Sequence, residues 1–149
     1  MRAVVNASAT ACKICGADAL LYGVVDFAKS CHDHTGTRLP LSGIPVYYRR
    51  CRQCRFVFSD QFASWSDDDF RQHVYLEHSS RPHDTVADLA SFLAEEAVVV
   101  FSTLVQPEDF DTLGQDWWYV GPRNGHISIF SREALRLLFL RNGLQVVSL

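Results

Sequence analysis

The chain has 149 residues, of which 48% are hydrophobic and 21% charged, and its net charge is −3. The apolar fraction excludes a disordered chain, and eight glycines with five prolines are too few for a linker or a fibrous protein. The length favours one domain of usual size or two small ones over a large enzyme.

The N-terminal part is basic and has the pattern of short strands. Residues 1–60 carry a net charge of +4, whereas residues 61–149 carry −7. β-Branched and aromatic residues predict strands over 20–27, 46–50 and 56–58. Three acids after Ser66 predict a helix start, because negative charge is favourable at the positive end of the helix dipole. We expect the boundary between the two parts in the polar stretch from Ser59 to His83.

The C-terminal part alternates predicted helices and strands. Asp84 or Thr85 can cap a helix whose apolar residues follow helical spacing. The apolar run 97–103 predicts a strand buried on both faces. The pattern then predicts a short strand over 126–130, a helix that Ser131 caps and Gly143 ends, and a β-like segment over 144–149. This order indicates a piece of an α/β sheet.

Targeting and membrane signals are not visible in the sequence. No apolar stretch approaches the ~18–20 residues of a membrane span, and the first ten residues lack the apolar core of a secretory signal. We therefore expect a cytoplasmic protein with no membrane partner. In that reducing compartment, five cysteines favour metal ligands or free thiols over a disulfide framework.

Two C-x-x-C pairs predict a zinc site. They are Cys12 with Cys15, and Cys51 with Cys54. Each pair places two thiolates on one tight turn, and two such turns make a closed four-cysteine site of the structural kind. Gly16 suits the position after the first pair, whereas Arg55 holds the corresponding place after the second. Four unrelated buried thiols are the alternative.

The fifth cysteine and an arginine cluster each allow two interpretations. Cys31, in the run Cys31-His32-Asp33-His34, is a rival zinc ligand or, as we prefer, a spare thiol in a polar loop. The arginines around the second pair, with aromatic residues among them, resemble a surface that binds nucleic acid; they are Arg49, Arg50, Arg52 and Arg55. Because the chain is net negative, we prefer a solvated strand face or a face docked on the acidic part, and expect no nucleic-acid partner.

Several motifs occur in an order that resembles one enzyme family. The N-terminal motifs are C-K-I-C-G, G-V-V-D-F, Y-Y-R-R-C-R-Q-C, F-V-F-S-D and W-S-D-D-D-F. The later ones are Glu77-His78 with Arg81-Pro82, V-V-V-F-S-T, and W-W-Y-V-G-P-R-N-G-H-I-S-I-F-S over 117–131. The chain thereby resembles class I S-adenosylmethionine-dependent methyltransferases with an N-terminal cysteine-rich zinc domain, and is similar to the sugar C-methyltransferases.

The resemblance implies an α+β or α/β chain in which a small zinc-ribbon domain precedes a truncated Rossmann-like methyltransferase remnant. Its parts are a four-cysteine ribbon over 1–62, a helix and linker over 63–83, and the remnant of the C-terminal half over 84–149. The family holds its cofactor with a glycine-rich loop, but this sequence has no G-x-G, and almost nothing lies between Val74 and Glu77, where the family has three strands. We therefore expect weak or absent S-adenosylmethionine binding by the chain alone, and an internal deletion is a further explanation.

The resemblance also implies roles for two histidines. In the similar sugar methyltransferases a histidine in a Glu-His-x-Ser-x-Phe-Ser segment acts as general base, and His126 matches it, although Gly125 replaces the acid. A neutral imidazole with a pKa near ~6.5 suits that role. A hydrogen-bonded histidine at a strand start is the alternative. His78 is at best a remnant of the cofactor site, and we expect its side chain on the surface. The aromatic residues 117–119 are core or pocket wall, or they stack on substrate.

These observations predict a methyltransferase-family protein with a structural zinc. Its substrate would be a small, sugar-like molecule, its cofactor S-adenosylmethionine by resemblance only, and its activity impaired when the chain is alone. The alternative is a non-enzymatic zinc-ribbon module that binds protein or nucleic acid. Uncovered sheet edges in a truncated domain would favour self-association.

Overall fold

The structure is a computed structural model that describes residues 9–64 and 76–147. The helix start predicted at Ser66 lies outside these residues. Within them, no helix is long and apolar enough to cross a membrane.

A curled antiparallel sheet organises the described residues. Its five strands pair in chain order, and they are β1 (Thr10–Ala11), β2 (Asp18–Asp26), β3 (Pro45–Cys51), β4 (Val57–Ser59) and β5 (Ser128–Ile129). The pair β2–β3 is the longest and contains a bulge between Leu21 and Gly23. The strands predicted in the N-terminal part are thus confirmed to within a few residues. The last strand, β5, comes from the C-terminal part and pairs with β4.

Three α-helices lie in the C-terminal part that the structure describes. They are α1 (Pro82–Ser91), α2 (Phe110–Leu113) and α3 (Arg132–Arg141). α1 begins before the predicted cap at Asp84 or Thr85, because the fixed φ of Pro82 suits the first helical position. α3 agrees with its prediction: the Ser131 hydroxyl accepts a hydrogen bond from the amide of Ala134 at 3.0 Å, and Gly143 follows the helix with φ +75°.

The strand predicted over 97–103 is wrong. This segment has no strand pairing, and the side chains of Val98 and Val100 are 85% and 92% exposed. A strand buried on both faces needs a neighbour on each edge and helices on both sides. The described sheet is antiparallel, and none of its strands pairs with this segment. The hydrogen bond from the amide of Gln106 to the carbonyl of Phe130, at 2.8 Å, lies beyond the end of β5. Residues 144–147 likewise form no strand.

The buried side chains form two apolar clusters, and each draws on both ends of the chain. One packs Phe56 and Phe58 against Phe130, Leu135 and Leu138 beside the cysteine turns. The other packs the opposite face of the sheet against the segment around α2; it includes Val46, Tyr48, Phe110, Trp117 and Ile127. The sheet and its two clusters therefore fix the loop 117–127 relative to the cysteine turns.

Candidate functional site

Two tight turns bring four thiols together. The Sγ atoms of Cys12 and Cys54 are 3.6 Å apart, and those of Cys15 and Cys51 are 3.4 Å apart. All four sulfurs lie within 4.8 Å of one another. All five cysteines of the chain are free thiols.

The donor set and its spacing suit zinc. A tetrahedral site with Zn–S bonds of ~2.3 Å has sulfurs about 3.8 Å apart, which is close to both measured distances. Four thiolates fill the coordination shell, so a zinc ion held here would stabilise the fold and leave no position for a substrate. The four cysteines could therefore hold a structural zinc.

The backbone of both turns supports this arrangement. The amides of Ile14 and Gln53 each point at the first sulfur of their own turn, Cys12 and Cys51, over 3.4 Å. Gly16 and Arg55 follow the two turns in equivalent left-handed conformations, with φ of 79° and 60°. Arg55 thus adopts the left-handed backbone conformation that glycine usually takes at this position after a C-x-x-C turn.

The ends of helix α3 hold the two turns. At its start, the Ser131 hydroxyl donates to the carbonyl of Cys54 at 2.5 Å. At its end, the guanidinium of Arg141 donates to the carbonyls of Ile14 and Cys15, the latter at 3.0 Å. The helix therefore spans the cysteine cluster and fixes one turn relative to the other.

Crowding of the thiols changes their proton affinity. A hydrogen bond from the Cys54 thiol lowers the pKa of Cys12 to about 5. The same hydrogen bond, together with burial, raises the pKa of Cys54 above its ordinary value. Because each thiolate formed here disfavours the next, full deprotonation of the cluster requires a cation.

The arginine cluster is largely paired with acidic side chains. Arg49 lies 2.8 Å from Asp60, while Arg50 and Arg55 lie 2.5 Å and 2.6 Å from Asp111. The guanidinium of Arg50 also lies over the ring of Tyr22. Asp111 belongs to α2, so the contacts of Arg50 and Arg55 correspond to a face docked on the acidic part of the chain, whereas Arg49 pairs within the N-terminal part.

A second group of metal-type ligands lies around His126. Glu77, His78 and His126 each offer one ligand atom, and these atoms lie within 4.8 Å of one another. The segments are joined by the backbone, since the amide of Ile127 donates to the carbonyl of Glu77 at 3.0 Å. The His78 ring packs on Gly125, where a Cβ would lie only 3.3 Å from its Cγ. His78 is therefore half-buried rather than at the surface.

The imidazole of His126 has a defined orientation. Its Nδ1 lies 2.8 Å from the carbonyl oxygen of Tyr119, and a carbonyl only accepts, so Nδ1 carries the proton. In the neutral ring Nε2 then keeps a lone pair. Burial lowers the pKa of His126, which favours this neutral form. The ring also lies 4.2 Å from that of Tyr119, between centroids.

Cys31 lies on the Nδ1 side of His126 and apart from the four-cysteine cluster. Its Sγ is 3.2 Å from Nδ1, and burial raises the pKa of this thiol to about 11. The spare-thiol interpretation placed Cys31 in a polar loop. The structure instead buries it against His126 and Gly121. The sequence offered no signal for this contact, because the partners are about a hundred residues apart.

The Glu77 carboxylate is held by neighbouring hydroxyls. The Thr103 hydroxyl donates to Glu77 Oε2 at 3.2 Å, and the phenol of Tyr119 also interacts with both side chains. Glu77 is 7% exposed. The sequence marked it only as part of a motif, and Thr103 only as the end of a predicted strand.

A cavity of about 640 Å³ opens beside the aromatic residues 117–119. Its wall combines the half-exposed ring of Trp118 with charged and polar side chains, among them Asp33, His34, Arg38 and Asp116. Trp117 and Tyr119 are buried in the core, as the core interpretation predicts for them. Trp118 forms pocket wall, and its ring contacts Tyr119 at 5.5 Å between centroids.

The described residues do not fit S-adenosylmethionine in the manner that the family resemblance implies. Cofactor binding at a doubly wound sheet requires parallel strands and glycines at which the backbone can approach the ligand. The described strands are all antiparallel. The crowded glycines are occupied by the chain itself: Gln115 lies against Gly23, Cys31 against Gly121, and His78 against Gly125.

Comparison with protein families identifies one relationship. A family model described as a methyltransferase domain matches residues 71–149. No curated protein and no solved structure matches the chain. The matched range contains Glu77, His78 and His126, together with β5 and α3.

Proposed function

Because the chain belongs to the methyltransferase-domain family, we propose that it handles the acceptor side of methyl transfer to a small, sugar-like molecule. His126 acts as the general base. The single observation that carries the proposal is the orientation of this imidazole, which donates from Nδ1 to the Tyr119 carbonyl and so leaves Nε2 able to take a proton.

Glu77 assists the base electrostatically. Its ligand oxygen lies within 4.8 Å of the His126 nitrogen, in a largely buried setting. When Nε2 takes a proton from an acceptor C–H or O–H, the ring becomes positively charged. The Glu77 carboxylate stabilises that charge, and the hydroxyl of Thr103 keeps the carboxylate in place.

The acceptor binds in the cavity beside Trp118. Sugar-like molecules combine apolar faces with many hydroxyls, and this cavity offers an aromatic ring among charged groups. The side chain of Lys29 donates to the carbonyls of Trp117 and Val120, which fixes the loop that carries Trp118. The cavity wall includes Trp118, the chain neighbour of Tyr119, and does not include His126.

Proton removal can be tested without a methyl donor. A base that takes a proton next to a carbonyl exchanges that proton with deuterium from heavy water, and NMR follows the exchange. We expect the chain to accelerate exchange in keto-sugars and sugar phosphates, and H126Q to lose about 10²-fold or more of that acceleration. W118A should raise the half-saturating sugar concentration. H32Q, at an exposed histidine, is the control. Equal exchange by H126Q and wild type would refute the base.

Binding of S-adenosylmethionine by the chain alone is weak or absent in this proposal. Support comes from the missing G-x-G and from the glycines that the chain's own side chains occupy. Isothermal titration of the full chain tests it, and a micromolar dissociation constant would show that a cofactor site exists.

The division into 1–62, 63–83 and 84–149, the Rossmann-like remnant and the cytoplasmic location remain predictions.

A protein-binding module is the second candidate function. The observation that favours it is a run of exposed apolar side chains after α1, with Phe92 80%, Val98 85% and Val100 92% exposed. Sedimentation over a concentration series would detect self-association, and a V98S/V100S variant should reduce it. Filter binding across a salt series tests nucleic acid separately.

A further inference from the structure

The group Glu77, His78 and His126 has the composition of an open metal site. Two imidazoles and one carboxylate supply three protein ligands and leave other coordination positions for water or a ligand. The three ligand atoms lie within 4.8 Å of one another. Bonds of ~2.0–2.2 Å to a central ion bring such atoms about 3–3.5 Å apart, so small side-chain rotations suffice.

Neighbouring groups orient two of these ligands in the way that metal sites require. A ligating histidine usually donates its other ring N–H to a carbonyl, and His126 does so to Tyr119 at 2.8 Å. A ligating carboxylate is usually hydrogen-bonded as well, and Glu77 accepts from Thr103 at 3.2 Å. Both ligands therefore have outer partners before any ion binds.

The backbone fixes the two segments that carry the ligands. The amide of Ile127 donates to the carbonyl of Glu77 at 3.0 Å, and the Ser128 hydroxyl donates to that of Ser79 at 2.7 Å. Gly125 leaves room for the His78 ring. Cys31 lies on the Nδ1 side of His126, so its thiol is not a member of the ligand set.

We propose that Glu77, His78 and His126 bind a divalent transition-metal ion at a second site, separate from the four cysteines. Mixed nitrogen and oxygen ligands suit zinc, cobalt, iron(II), nickel or manganese, whereas magnesium and calcium prefer oxygen alone. The ion takes the lone pair of His126 Nε2. Metal binding and proton removal by His126 therefore compete, and metal binding itself does not rest on the proposed function.

Cobalt(II) distinguishes this site from the cysteine cluster. Full-length chain that carries one zinc per molecule is titrated with cobalt(II), with zinc content and visible absorption followed together. We expect about one added cobalt per chain, with d–d bands but without the thiolate charge-transfer absorption of a four-cysteine site. E77Q and H126Q should each weaken cobalt binding at least about tenfold, and T103V, at an outer partner, by about tenfold.

Control variants keep the test decisive. H32Q removes an exposed histidine outside the group and should bind cobalt as wild type does. Circular dichroism and zinc content identify variants that do not fold. If E77Q or H126Q does not fold, the cobalt titration is carried out with H78Q in its place. Failure of wild-type chain to bind added cobalt, or unchanged affinity in folded E77Q and H78Q, would overturn the site. Cobalt binding by a chain that catalyses no proton exchange when cobalt is absent would support the site and refute only the base.

Discussion

Gly121 makes room for the contact between the 117–127 loop and Cys31. A Cβ at this position would lie 2.7 Å from Cys31 Sγ and 3.0 Å from the Cys31 amide nitrogen. Distances this short force a neighbour to move. Cys31 in turn lies against the Nδ1 side of His126, so the size of one residue affects the placement of the imidazole.

Replacing Gly121 by alanine should therefore destabilise the chain. Overpacking in a tight interior costs about 1–3 kcal/mol, and thermal or denaturant unfolding of G121A measures it. The double variant G121A/C31A removes the sulfur and should recover part of the loss. Additive effects of the two substitutions would mean that the contact with Cys31 does not carry the strain.

The hydroxyl of Ser131 makes hydrogen bonds both to helix α3 and to the second cysteine turn. Ser131 caps the helix by accepting from the amide of Ala134, and it also donates to the carbonyl of Cys54. Loss of a helix cap costs about 1 kcal/mol, and the freed, buried carbonyl adds to that cost. We expect S131A to lower the free energy of unfolding by about 1–3 kcal/mol.

Ser91 offers a matched control for this substitution. It is exposed, ends α1, and its hydroxyl donates only to a carbonyl three residues earlier. S91A should change stability by less than about 0.5 kcal/mol. If denaturant unfolding gave equal losses for S131A and S91A, the link between α3 and the second cysteine turn would be negligible.

The elements that sequence reasoning predicted are those with local signals. β2 and β3 follow from β-branched and aromatic residues, and α3 follows from its serine cap and terminal glycine. The run over 97–103 failed because its apolar composition describes a strand only when neighbouring strands cover it. That requirement is a property of the sheet and not of the seven residues.

Metal removal is expected to affect both ends of the chain. The cysteine turns share one apolar cluster with Leu135 and Leu138 of α3, and Ser131 and Arg141 bond to their carbonyls. If zinc occupies the four thiols, its removal separates the turns and frees both ends of the helix. Chelation, or C51S, should reduce the hydrogen-exchange protection of α3 amides as well as those of β3 and β4.

Elemental analysis provides the companion measurement, with about one zinc expected per chain at the cysteines. C31S is the control, since Cys31 lies apart from the cluster, and it should retain the zinc. An α3 that stays fully protected in metal-free chain would contradict the coupling. A metal-free chain with every strand intact would contradict the zinc site itself.

The two candidate sites differ in how far the sequence could predict them. The four thiols follow from spacing, because each C-x-x-C pair already defines half of a tetrahedron. The group around His126 unites Glu77, Thr103 and Tyr119 from distant parts of the chain. No spacing rule connects these residues, so only the fold could bring them together.

The attachment of α3 and β5 also limits how this chain can exchange parts with its relatives. Both elements belong to the range that matches the methyltransferase family, yet β5 pairs with β4 and α3 bonds to both cysteine turns. A recombination breakpoint between residues 64 and 76 would separate a strand from its partner and a helix from its anchors. The two ends of the gene are therefore expected to be inherited as one unit.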